Sequence, residues 1–201
     1  MPFIGNKPTA VPLSGADIED GTIGLADLSA TGTKDSTTFL RGDNTFASAG
    51  GNNTPAFEAV LNAGQTVSDA VSTKIQFGRE IYDTDSCYDN STNYRFTPTT
   101  AGKYFVYVNL YGGVAAVSRL SQIACQIRKN GTTVADSGID NRSDGFGLNS
   151  YTFVSATIDF NGTTDYVEGF GYINDNGGSN VEFYGSATSS GCRFGAYKII
   201  E

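Results

Sequence analysis

The chain has 201 residues, 25 of them glycine, with 13 Phe, 11 Tyr and no His or Trp, and 13 basic against 21 acidic side chains give a net charge of −8. That balance argues against nucleic acid and anionic membranes as partners, because no basic stripe is present to neutralise phosphates. The missing His removes Ser-His-Asp and Cys-His nucleophile pairs and argues against a zinc site. A Gly-, Thr- and Ser-rich chain whose bulk comes from Phe and Tyr is the composition of an all-β protein with many tight turns.

Residues 1–55 differ from the rest. They are rich in Pro, Gly, Thr, Ser and Asp, with apolar positions scattered singly at Phe3, Ile4, Val11, Leu13, Ile18 and Ile23. So few apolar groups cannot bury a core alone, which leaves either a thin arm that gains its burial from partner chains or a floppy tail. Ala16-Asp17-Ile18 and Ala26-Asp27-Leu28 form a weak internal echo. Prolines at 2, 8 and 12 and the lack of an apolar h-region do not suit a secretory signal, so synthesis in a cytosol is expected. Ser48 to Pro55 reads as a linker.

From Ala56 onward, alternating runs and turn signals predict ten strands, at 56–61, 74–77, 94–96, 104–111, 121–129, 132–135, 150–160, 165–172, 180–189 and 193–200. Asn130-Gly131 favours a type I′ hairpin, and Asn161-Gly162 punctuates the next pair. The organising stretch is Tyr94 to Gly112, YRFTPTTAGKYFVYVNLYG. Phe105, Tyr107 and Asn109 face one way, and Tyr104, Val106, Val108 and Leu110 the other. Bulk on both faces means that the strand is covered twice, once by its own core and once by something else.

Four segments carry a resemblance. Phe96-Thr97-Pro98-Thr99-Thr100-Ala101-Gly102-Lys103-Tyr104 resembles the F-x-P-x-x-x-G-x-Y motif of C1q and tumour-necrosis-factor-like jelly rolls. Gln126 to Gly131 resembles their I-x-K-N-G hairpin, and Asp165-Tyr166-Val167 their G-D-x-V strand, with Thr164 where the glycine is usual. Cys192 to Ile199 resembles the terminal F-x-G-x-x-L strand. The resemblance covers about residues 56–201 and implies a ten-strand jelly-roll sandwich, C1q/TNF-like, preceded by an extended N-terminal arm. It also implies a homotrimer, whose interface would draw on Phe105, Tyr107, Phe170, Phe194 and Tyr197.

The arm has its own resemblance. Phe3 to Pro8 and Ala16 to Ile23 look like the opening of structural proteins of marine tailed phages, and Ser36 to Ala47 like the S-T-F-L-R-G-D-G-T-W segment of phage fibres. Asn44 and Phe46 stand where that segment has Gly and Trp. The combination implies a non-enzymatic protein of the virion surface, made in the host cytoplasm. Phe3, Ile4, Val11, Leu13, Ile18 and Ile23 would attach it to tail or capsid proteins. A tail-fibre or receptor-binding role is the leading reading, and capsid decoration on the head is the alternative.

Candidate ligand sites lie in the loops. Tyr82, Tyr88, Tyr172, Asp175 and Tyr184 combine aromatic faces with polar neighbours, as suits recognition of a host-surface glycan or protein. Asp83, Asp85 and Asp89 could offer oxygens to calcium, but Cys87 stands where an EF-hand needs an oxygen; Arg142 spoils Asp140, Asp144 and Gly145 in the same way. No metal or cofactor is therefore assigned. Asp83, Asp85 and Glu168 are the carboxylates left for an alternative glycan-degrading enzyme. Arg41-Gly42-Asp43 reads as a charged turn rather than an adhesive ligand. Cys87, Cys125 and Cys192 read as small buried hydrophobes, with a Cys87–Cys192 bridge as the alternative.

Overall fold

A computed structural model describes residues 24, 29–48, 53–142, 147–188 and 191–200. The chain divides into two compact units, Met1–Gly51 and Asn52–Glu201. In the first, β1 (Thr38–Leu40) and β2 (Phe46–Ser48) form an antiparallel hairpin. Its turn contains Arg41-Gly42-Asp43, and the Asp43 carboxylate accepts the Thr45 N–H at 3.1 Å and the Thr45 hydroxyl at 2.6 Å. Asn44 takes φ +62°, which its short polar side chain tolerates. The acidic group of the tripeptide is thus spent on its own turn.

The second unit is an all-β sandwich. Its strands are β3 (Ala56–Val60), β4 (Gln65–Val67), β5 (Thr73–Lys74), β6 (Arg79–Asp83), β7 (Tyr88–Asp89), β8 (Arg95–Phe96) and β9 (Gly102–Gly113). There follow β10 (Leu120–Lys129), β11 (Thr132–Asp140), β12 (Asn149–Phe160), β13 (Val167–Asp175), β14 (Val181–Phe183) and β15 (Arg193–Ile200). One sheet has the order β11-β10-β13-β8-β7, with β5 also paired to β13. The other runs β4-β14-β9-β15-β3-β6, and β12 pairs with β9 along its whole length.

Each of the ten predicted strands has a counterpart, and the departures have local causes. The predicted strand at 74–77 pairs only as far as Lys74; Ile75 and Phe77 are buried, but Ile75 bonds Gly169 O outside the regular ladder. The predicted strand at 180–189 contracts to β14, and that at 132–135 extends to Asp140. The short, polar β4, β6 and β7 carry too little alternation to announce themselves.

β9 holds the sandwich together. Tyr104, Val106, Val108 and Leu110 are fully buried, whereas Phe105, Tyr107 and Asn109 are only half-buried on the opposite face. The corner before it turns at Gly102, whose φ of +138° a side chain would disfavour, and the Tyr104 hydroxyl donates to Thr100 O at 2.8 Å. The core's centre is aromatic. Phe57 stacks on Tyr88 and Phe96 at 4.5 and 4.6 Å and meets Phe194 edge-on at 4.9 Å. Asn130 and Gly131 both have positive φ, as a type I′ turn between β10 and β11 requires.

Candidate functional site

Residues paired across antiparallel strands point to the same side of a sheet. The registers therefore align Tyr82, Glu58, Gly195, Tyr107 and Ser155 in one row across β6, β3, β15, β9 and β12, on the face turned away from the core. Gly195 sits in the middle and has no side chain, so the Tyr107 ring lies over it; a Cβ there would stand 2.5 Å from Tyr107 Cζ. The Tyr107 hydroxyl thereby reaches Glu58 Oε2 at 2.5 Å, and Arg193 Nη1 holds Glu58 Oε1 at 2.5 Å. Burial, with the Glu58 carboxylate as acceptor, pushes the Tyr107 hydroxyl far above the ordinary tyrosine range.

Neighbouring rows extend an aromatic surface. Phe105 pairs with Tyr197, ring centroids 5.5 Å apart, and Tyr111 stacks on Tyr151 at 4.2 Å. Tyr151 and Phe153 on β12 are 56% and 53% exposed, although each lies beside a buried neighbour at Thr152 and Val154. The charges interspersed here pair among themselves, Glu58 with Arg193 and Lys103 with Asp159 at 2.7 Å. A contiguous aromatic face of this kind is unusual on a chain that works alone.

The structure thus brings Phe105, Tyr107 and Tyr197 onto one face and separates the other two predicted interface residues from them. Phe194 is fully buried in the core. It lies three positions from Tyr197, and an odd spacing in a regular strand sends two side chains to opposite faces. Phe170 belongs to β13 in the other sheet, where Arg128 covers its ring at 3.8 Å. Tyr151, Phe153, Glu58 and Arg193 were missed. For the first two the signal was available, since Tyr151-Thr152-Phe153-Val154 carries the same bulk on both faces as β9.

The predicted ligand-loop residues scatter. Tyr82 is 44% exposed and joins the aromatic face. Tyr88 is buried against Phe57, and its hydroxyl donates to Phe77 O at 3.1 Å, so it is a core residue. Asp175 is also buried: Arg119 Nε donates to it at 2.8 Å, and the N–H groups of Gly177 and Ser179 at 3.1 Å. Burial alone would raise its carboxyl, but these donors hold it below the usual carboxylate range. Tyr184 packs edge-on against Tyr111, and Tyr172 stands on the outer side of β13. Phe3, Ile4, Val11, Leu13, Ile18 and Ile23 lie outside the described residues.

The candidate carboxylates are committed elsewhere. Asp83 accepts the N–H groups of Cys87 and Tyr88 at 3.1 and 2.8 Å, and Asp89 those of Ser91, Thr92 and Asn93. Asp85 accepts the Thr84 hydroxyl, and Glu168 pairs with Lys74 on the other sheet. Asp83 stands on β6 and Glu168 on β13, in different sheets. Asp140 is in β11, while Asp144 and Gly145 lie outside the described residues. Among the described residues no group of three metal-ligating side chains comes together. The three cysteines are buried thiols rather than a bridge; Cys192 Sγ donates to Tyr111 O at 3.2 Å.

No protein-family model matches the chain, and no curated protein matches it in sequence. Solved structures match in shape. Murine APRIL at pH 8.0 superposes with a TM-score of 0.51 at 10% identity, over 72% of this chain and 98% of that one. Murine APRIL at pH 5.0 gives 0.50 at 12%, over 72% and 99%, and Eiger TNF from S. frugiperda gives 0.49 at 12%, over 73% and 92%. At such identities the likeness is one of fold, and the fold is an all-β, TNF-like jelly roll.

Proposed function

We propose that this chain is a non-enzymatic phage virion protein whose jelly-roll knob trimerises through the outward face of the seven-stranded sheet. Its N-terminal segment would anchor the knob to the particle, in a tail-fibre or receptor-binding role. The observation that carries the reading is the aromatic face formed by Phe105, Tyr107, Tyr151, Phe153 and Tyr197. Obligate interfaces are large and apolar, and charges already paired within one protomer cost less to cover than lone ones. The number three comes from the C1q/TNF-like corner at Phe96–Tyr104, and the virion context from the fibre-like segment Ser36–Ala47.

Sedimentation of the full chain tests the assembly. Wild type is expected as a trimer and Tyr197→Asp/Phe153→Asp as monomer or aggregate; a soluble trimer that survives both substitutions refutes this face. Immunogold labelling of particles tests the location. Labels at the tail tip support attachment, and labels spread over the head would assign capsid decoration instead.

A further inference from the structure

The six-stranded sheet has an outward face of a different kind. Across β11, β10 and β13 the registers align Gly138, Ala124 and Tyr172 in one row and Asp140, Gln122 and Asn174 in the next. Gly138 and Ala124 are small and close, a Cβ on Gly138 falling 2.9 Å from that of Ala124. Their lack of bulk opens a shallow hollow of about 310 Å³, walled by Tyr172 and flanked by Gln122, Gln126 and Asp140. That volume is at the lower end of small-molecule sites.

The polar groups around the hollow have valences to spare. Gln122 Nε2 donates to Asp140 Oδ2 at 3.2 Å, which leaves Gln122 Oε1 as an acceptor. Gln126 Oε1 accepts from Ser72 Oγ at 3.1 Å and Arg128 Nη2 at 2.8 Å, which leaves its amide Nε2 as a donor. The Tyr172 hydroxyl accepts from Asn174 Nδ2 at 3.3 Å and keeps its own proton to give. Asp140 is held by Arg142 Nε at 2.8 and 3.0 Å, and this partner brings its carboxyl down to about 2, so it stays an acceptor at every working pH.

We infer that this hollow is a binding site for a neutral saccharide. A pyranose has an apolar C–H face, which stacks on an aromatic ring, and vicinal hydroxyls that each both donate and accept. Tyr172 offers the ring, and Gln122, Gln126 and Asp140 offer donors and acceptors side by side. An acidic sugar is disfavoured, because Asp140 borders the hollow while the neighbouring guanidiniums are committed, Arg142 to Asp140 and Arg128 to Gln126 and Ser72. The inference rests on the host-attachment reading and sharpens it. The site is on the sheet opposite the aromatic face, so trimerisation leaves it open in all three copies, and a weak site gains avidity from its repetition.

The test is saturation-transfer NMR on the full chain, with maltose, cellobiose and N,N′-diacetylchitobiose as separate probes up to about 10 mM. At least one should bind with a dissociation constant on the order of 1 mM. Tyr172→Ala should abolish the signal, and Gln122→Ala should weaken it about tenfold. Tyr172→Phe should keep the stacking and lose only a few-fold. Binding that is indifferent to both Tyr172→Ala and Gln122→Ala, or no binding of any neutral probe by wild type, overturns the site. So does self-association that Tyr172→Ala abolishes, which would make the face a contact between copies. Sedimentation of the same samples keeps the two readings apart: a trimer that binds no sugar sinks only the site, whereas a monomer sinks the assembly.

Discussion

Gly195→Ala is the sharpest probe of the face proposed for assembly. The added Cβ would stand 2.5 Å from Tyr107 Cζ, well inside van der Waals contact, so the ring must swing aside and its hydroxyl must leave Glu58. A hydrogen bond to a charged group contributes about 1.5–3 kcal/mol. The lower end applies here because Tyr107 is only half-buried, although the Glu58 side chain is just 17% exposed. The displaced ring adds about 1 kcal/mol of off-rotamer strain. Gly195→Ala should therefore cost about 2–3 kcal/mol, and Tyr107→Phe, which loses only the hydrogen bond, about 1.5 kcal/mol. In a Tyr107→Ala background the space over Gly195 is vacant, and the same Gly195→Ala change should cost less than about 0.5 kcal/mol. The assay is urea unfolding of the two single alanine variants, the double variant and wild type at one protomer concentration, since assembly contributes to apparent stability. Equal costs for Gly195→Ala in both backgrounds would refute the claim that Tyr107 is what requires glycine there.

Three further outcomes are expected. Phe57→Ala removes the ring that stacks on Tyr88 and Phe96 and should cost about 3–5 kcal/mol in the same unfolding assay; a loss under about 1 kcal/mol would mean that this is not the core's centre. Gly131→Val places a β-branched residue at φ +82° and should cost about 1–2 kcal/mol while leaving the oligomeric state unchanged. Burial raises the Tyr88, Tyr104 and Tyr107 hydroxyls, Tyr104 to about 12. Folding therefore favours their neutral forms. Their contribution is complete below the ordinary tyrosine value of about 10 and lost as pH rises beyond it. The urea midpoint should fall above that pH, with tyrosinate absorbance from these three rising only as the chain unfolds; early titration in the folded state would contradict the burial.

The long strands were legible because their alternation is long. In β9, seven consecutive side chains from Tyr104 to Leu110 fix which are core and which are outward, and the burial follows that division. The Asn-Gly turn was legible because two adjacent positive φ values admit few other residues. The three-residue β4 was not, because it is too short to show a period and its partner β14 lies far along the chain. The site readings failed where composition stood in for position. Tyr88 and Asp175 lie in polar stretches that suggested exposure, yet one completes an aromatic stack and the other anchors a loop. Phe194 failed on parity alone. Glu58 and Arg193 are 135 positions apart, and only the β3–β15 pairing brings them together.

The two outward faces differ in the chemistry they present, and that difference bears on the roles proposed for them. On the seven-stranded sheet several polar side chains are satisfied within the protomer: Tyr107 by Glu58, Glu58 by Arg193, Lys103 by Asp159, and Asn109 by Gly191 O at 3.0 Å. What remains for a partner to cover is mainly aromatic ring, which gains from leaving water, with the Tyr82, Tyr151 and Tyr197 hydroxyls among it. On the six-stranded sheet Gln122, Gln126 and Tyr172, which line the hollow, each keep a donor or acceptor unspent. Covering them with the apolar face of another copy would leave those groups unpaired at about 1–3 kcal/mol each, whereas sugar hydroxyls would satisfy them. Self-association through the first face and ligand binding on the second matches what each offers: aromatic rings on one, spare donors and acceptors on the other.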